Sequence, residues 1–202
     1  MVKRYIISLM AANRVGILAA VTNALDELGG DLQEVSQTVM QKYFTIILAA
    51  EFPEHREPDV IVDHIRGICK PYGVEVNLKE PDLDILQDEP EEGTEKYFLT
   101  VAGTNKPGIM RSITVCLAGY SIDVTDLYAV GKEPDASFVM VMELSVPPGV
   151  DAPALKQELE DLGSSIGLSA TLQHESLFAA TNSPRPVRVA PHLSLGQSAN
   201  LR

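Results

Sequence analysis

The 202 residues contain no tryptophan, few aromatics of any kind and only two cysteines. Cys69 and Cys116 lie far apart, each inside an apolar helical pattern, which argues against a disulfide framework or a cysteine-rich metal site. Both read as small buried hydrophobes. No apolar run reaches the roughly 18 residues that a membrane-spanning helix needs. The apolar stretch after Lys3 and Arg4 is broken by Asn13 and Arg14, so it reads as a strand rather than a secretory signal. The expected location is therefore cytoplasmic, without a membrane partner. A basic surplus is missing too. The formal net charge is −12, and no segment expected to fold is basic, which disfavours direct nucleic-acid binding through phosphate neutralisation.

Catalytic signatures are equally scarce. His55, His64, His174 and His192 sit on different segments with no metal-ligand spacing. Gly-rich phosphate loops are absent, and Ser8, Ser36 and Ser137 lack a Gly-x-Ser-x-Gly context. The expectation is a chain that is not an enzyme and carries neither metal nor cofactor. What remains, 45% apolar and 22% charged residues, is the composition of a folded globular protein.

The main positive feature is an internal repeat. An offset of 92 residues aligns Tyr5 with Tyr97, Asn13 with Asn105, Arg14 with Lys106, Gly16 with Gly108 and Ile17 with Ile109. It continues through Thr22 with Thr114, Leu25 with Leu117 and Asp31 with Asp123, and without a gap it pairs Glu51 with Glu143 and Asp59 with Asp151.

Each copy reads β-α-β-β-α-β. In the first, Lys3–Met10 has the pattern of a mostly buried strand. The helix Val15–Leu28 follows, with Ile17, Leu18, Val21, Ala24, Leu25 and Leu28 on one stripe. Gly29-Gly30 stops that helix. Strands are expected at Asp31–Gln41 and Tyr43–Phe52, a helix from Pro58 to Lys70, and a last strand at Val74–Leu78. The second copy predicts strands at Tyr97–Gly103, Ile122–Val130, Ser137–Val146 and Leu168–Glu175, with helices at Pro107–Ala118 and Ala152–Ser165. The fold class is α+β: two ferredoxin-like modules, each an antiparallel four-stranded sheet with its helices on one face.

The expected organisation is a first module over residues 1–80, an acidic linker over 81–95 with seven acids and no base, a second module over 96–178, and a flexible tail over 179–202. The uncovered sheet faces and edges call for a partner surface, so a homodimer or other homo-oligomer is expected.

The loops Asn13-Arg14-Val15-Gly16-Ile17 and Asn105-Lys106-Pro107-Gly108-Ile109 join the first strand to the first helix of each copy. Amides at a helix N-terminus attract a carboxylate, and a glycine lets a ligand approach the backbone. The asparagines offer a donor and an acceptor, Arg14 and Lys106 offer positive charge, and Asp31 and Asp123 offer a carboxylate for an ammonium. These groups suit a small zwitterion. The plainer reading makes the asparagines turn or capping residues and the glycines packing residues.

The apolar strand, the Asn-(Arg/Lys)-(Val/Pro)-Gly-Ile loop, the amphipathic helix and the runs Asp31-Leu32-Gln33-Glu34-Val35 and Asp123-Val124-Thr125-Asp126-Leu127 together resemble the ACT domain. The resemblance covers roughly residues 3–80 and 96–178. It implies amino-acid binding at the interface of paired modules, with Asn13, Gly16 and Ile17 and Asn105, Gly108 and Ile109 in the ligand loops. A stand-alone pair of this size is similar to the glycine cleavage system transcriptional repressor group, which implies control of transcription through a protein partner such as an activator. The sequence departs from the family pattern at Val15, where proline is usual, and at Asp31 and Asp123, where asparagine is common. Two functions follow as expectations: a sensor of a small amino acid, or a ligand-free scaffold for protein interaction.

Overall fold

In the computed structural model, residues 2–81, 91–132 and 136–182 are described. The chain forms two compact units, divided between Glu89 and Pro90. The first unit contains β1 (Val2–Ala12), α1 (Ile17–Glu27), β2 (Asp31–Met40), β3 (Tyr43–Pro53), α2 (Pro58–Ile68) and β4 (Glu75–Lys79). The second contains β5 (Glu95–Thr104), α3 (Ile109–Gly119), β6 (Asp123–Lys132), β7 (Ser137–Val146), α4 (Ala152–Ser165), β8 (Leu168–His174) and α5 (Glu175–Asn182). Among the described residues, no helix is long and apolar enough to cross a membrane.

Both sheets are antiparallel, in the orders β2-β3-β1-β4 and β6-β7-β5-β8. Alternation decides the faces. Tyr5, Ile7 and Leu9 of β1 and Phe44, Ile46, Leu48 and Phe52 of β3 point to one side, where Val21 and Leu25 of α1 and Ile61 and Ile65 of α2 bury them. In the second unit Leu99, Val101, Met140, Met142 and Leu144 meet Ile113 and Leu117 of α3 and Leu155 and Leu159 of α4. Each such side chain, fully withdrawn from water, contributes about 1.5–3 kcal/mol before ordering entropy is subtracted. The expected helical stripe holds except at Leu18, which is 44% exposed. Cys69 is buried as expected, whereas Cys116 is only half-buried.

The register corrects the repeat. The amide of Asn13 donates to the Lys42 carbonyl, and that of Asn105 to the Ala136 carbonyl, both at 2.7 Å, so here the copies are offset by 94. Arg4 lies opposite Glu51, while Lys96 lies opposite Ser145. The gapless matches of Glu51 with Glu143 and of Asp59 with Asp151 therefore fail. Glu57 and Asp151 are the equivalent residues, each the N-cap of its second helix. The cause is hairpin length. Gln41 and Lys42, with φ of 47° and 71°, make a two-residue turn between β2 and β3, and the β6–β7 connection is two residues longer. Both copies share a bulge at the same place, between Leu32 and Glu34 and between Val124 and Asp126.

A second correction concerns the end of the second module. The last strand stops at His174, and Glu175–Asn182 forms α5, which the sequence reading assigned partly to strand and partly to tail. His174 starts it by accepting at Nδ1 from the Ser176 amide at 3.2 Å. Phe178 then stacks on Phe98, with centroids 4.0 Å apart and planes 15° apart. Phe98 lies opposite Glu143 and Gln173, on the sheet face away from α3 and α4. Helices therefore occupy both faces of the second sheet. Most of the expected linker, 82–90, and most of the expected tail, 183–202, lie outside the described residues.

One repeat pair differs in its polar end. The Tyr97 hydroxyl donates to Glu95 at 3.1 Å, whereas the Tyr5 hydroxyl is buried with no hydrogen-bond partner among the described residues. An unsatisfied buried hydroxyl costs about 1–3 kcal/mol. Tyr5→Phe is therefore expected to raise unfolding free energy by about 1 kcal/mol in urea denaturation, and Tyr97→Phe to bring no gain.

Candidate functional site

The strand-to-helix loop has the same geometry in both modules. Gly16 and Gly108 are the N-cap residues of α1 and α3, at φ 93° and 90°, a left-handed conformation that side-chain-bearing residues rarely adopt. Among the described residues no side chain caps either helix, and neither has an acid in its first turn. The first amides of a helix have no acceptor within it, so each loop presents donors to an incoming anion. Ile17 and Ile109, 3% and 4% exposed, anchor the loops in the cores. The asparagines fix the other side through the 2.7 Å amide bonds to the hairpins, and the Asn105 side chain lies against Gly131.

Arg14 and Lys106 are partly committed elsewhere. Arg14 Nη1 donates to the Pro71 carbonyl at 3.3 Å, and Lys106 Nζ to the Ile166 carbonyl at 3.0 Å. Each ties its loop to the connection between the second helix and the last strand of its module. Sequence spacing gave no sign of these contacts across 57 and 60 residues.

Asp31 and Asp123 do not join the loops. Asp31 lies opposite Glu51, which lies opposite Arg4, eight residues of strand before Ala12 and hence about 26 Å from the loop end. Asp123 stands in the same relation through Ser145 and Lys96. The first two strands of a β-α-β unit run parallel, so the end of one and the start of the next lie at opposite ends of the sheet. Asp31 instead accepts from Gln33 Nε2 at 2.8 Å.

The loops also differ in a way that sequence reading missed. A Cβ placed on Gly16 would stand 2.6 Å from the Tyr72 hydroxyl oxygen, whereas one on Gly108 would meet nothing within 4 Å among the described residues. Tyr72 precedes Gly73 at φ 62°, and its counterpart before Gly167 at φ 76° is Ile166, which has no hydroxyl. Among the described residues, the second loop is open where the first is covered. Beside α1 and β2 runs an apolar groove of about 250 Å³ lined by Leu18, Val21, Leu25, Leu32 and Val35 among others.

A model of the ACT domain matches residues 96–173. A UPF0237 protein of Methanococcus maripaludis is 34% identical over 84 residues, covering 42% of this chain and 92% of that protein. The chain belongs to the ACT-domain family. A second UPF0237 protein, from Methanosarcina acetivorans, is 33% identical over 81 residues, 40% of this chain and 88% of its own length. An unknown protein from Galdieria sulphuraria superposes with a TM-score of 0.72 at 17% identity, over 86% of this chain and 99% of that one. A provisionally named glycine cleavage system transcriptional repressor gives 0.60 at 14%, over 86% and 98%. At such identities the superpositions speak to the fold alone, and the fold they share is the tandem of ACT modules.

Both thiols of this ACT-domain chain are held in the neutral form. Burial raises the Cys69 pKa, and burial together with Glu158 raises that of Cys116. Among the described residues, no three His, Cys, Asp or Glu side chains gather as metal ligands. The clearest charge coupling lies near the start of β6, where Lys96 Nζ meets Glu143 Oε1 at 2.9 Å and Thr125 donates to the same oxygen at 2.9 Å. The Lys96 bond, chiefly, holds Glu143 below the ordinary carboxylate range. A lowered folded-state pKa gives stability that is present above the unfolded value, about 4.3, and lost as pH falls through the folded one. Glu143→Gln is expected to lower the melting temperature at pH 7 and to flatten its fall between about pH 5 and 3. Equal slopes for variant and wild type would show the pair to be inert.

Proposed function

We propose that this ACT-domain chain is a non-enzymatic cytoplasmic regulator that senses a small amino acid, glycine foremost, and controls transcription through a protein partner. The observation that carries the reading is the helix N-terminus at Gly108, with no acid in its first turn and, among the described residues, no side-chain cap or obstructing group. A carboxylate there receives first-turn amides and the favourable end of the helix dipole, and Asn105 stands beside it. Asp123 lies at the far end of its own sheet, so the ammonium acceptor at this loop is a group other than that aspartate. The acceptor we propose is a carboxylate of a module laid alongside, with the ligand shared at the module interface. The acidic balance of the chain supports action through a protein rather than by gripping DNA.

For the first module a ligand-free role has its own support. The Tyr72 hydroxyl already sits over Gly16, and Arg14 is tied to the Pro71 carbonyl. On this reading the first loop is architectural and its module serves protein interaction.

A thermal-shift screen against the twenty amino acids at millimolar concentration tests the proposal. A ligand at a hundredfold its Kd adds about 2.7 kcal/mol, or about 5–10 °C for a protein of this size. One amino acid is expected to give such a shift, which Asn105→Ala removes and Asn13→Ala leaves. No shift from any of the twenty would defeat the sensor reading and leave the scaffold.

A further inference from the structure

We infer that the helix-free sheet face of the first module is a homodimer interface, in which two copies stack face to face about a two-fold axis parallel to the strands. The register places Glu34, Ala49, Ile6 and Lys79 side by side in one row across β2, β3, β1 and β4. All four lie on the face away from α1 and α2, because Leu48 and Ile7, the neighbours of Ala49 and Ile6 along their strands, belong to the core. Glu34 and Lys79, the row's two ends, have no ion-pair partner among the described residues of one chain.

Rotation about an axis along the strands reverses such a row. Glu34 of each copy then meets Lys79 of the other, and Ala49 meets Ile6. The row is its own electrostatic and steric complement, as an isologous contact requires. In the next two rows Ile47 and Met10, 50% and 43% exposed, supply the apolar surface that aligned sheet packing buries. A shallow hollow of about 150 Å³ lined by Ile6, Glu34, Ser36, Ile47 and Ala49 gives the opposing side chains room. Three rows across all four strands at about 4.8 Å spacing, with β1, β2 and β3 continuing beyond them, offer on the order of 500 Å² per copy. That reaches the total of about 1,000 Å² needed for a specific contact, at the weak, reversible end.

The second module carries no such device. Its equivalent row is Asp126, Glu143, Phe98 and Gln173, with an acid at one end and no base at the other. Phe178 of α5 already covers Phe98. Association through helix-free faces therefore closes at two copies instead of growing into a chain.

Sedimentation equilibrium of the full chain, with and without charge reversals, tests the inference. The wild type is expected to dimerise at tens of micromolar. Glu34→Lys and Lys79→Glu, each placing like charges together at both ends of the contact, are expected to weaken dimerisation about tenfold or more. The double variant Glu34→Lys with Lys79→Glu restores the pairing in reverse and is expected to return to within about threefold of wild type. A wild type monomeric up to millimolar concentration would overturn the inference and leave the face to another segment of the chain or to a foreign protein. So would a double variant no better than the single ones while far-UV circular dichroism shows all of them folded. The amino-acid reading stands or falls separately, because its screen scores ligand binding and this one scores mass.

Discussion

The first strand of each module is the constraint from which the rest hangs. β1 pairs along its whole length with β3 and over its middle with β4, and β5 pairs in the same way with β7 and β8. A strand held on both sides cannot drift, so the point where it ends dictates where the following helix begins. The amide of Asn13 or Asn105 fixes that end to the neighbouring hairpin, and four residues later the chain is already helical. Only a left-handed residue makes the turn so short, which is why Gly16 and Gly108 stand there. Glycine has no side chain with which to cap, and the helix starts with its amides unclaimed by any side chain. A packing requirement of the ACT fold thus yields a surface suited to a carboxylate.

Duplication has left the two modules alike in architecture and different in what their surfaces present. The first keeps a tyrosine hydroxyl over its loop and a self-complementary row of charge on its sheet. The second has Ile166 in place of Tyr72, an open loop, and a helix lying on its sheet. Each difference is one or a few residues on a shared frame. On the proposed reading the modules divide the labour, the second binding a ligand and the first binding protein.

Much of this was legible in the sequence because buried strands and amphipathic helices carry periodic patterns, and both copies carried the same ones. The element order, the stop at Gly29-Gly30 and the start at Pro58 were all readable as local chemistry. What escaped was relational. A two-residue difference in hairpin length shifted the repeat from 92 to 94, and chance matches at Glu51 and Asp59 hid the shift. The separation of Asp31 from Asn13 follows from the parallel course of β1 and β2, yet a list of polar residues obscured it. The helix Glu175–Asn182 is short and weakly amphipathic, and it is held by a stack with Phe98 that only the folded chain brings into range. Tyr72 and Arg14 act across comparable distances in the chain.

Backbone amide spectra of the isotopically labelled chain, titrated with amino acids at neutral pH, test the central claim most directly. The account expects the resonances of Gly108 and Ile109 to move saturably with one amino acid while those of Gly16 and Ile17 move little. Shifts spread over the surface without saturation, or none at either loop, would contradict it and reduce both helix N-termini to elements of architecture.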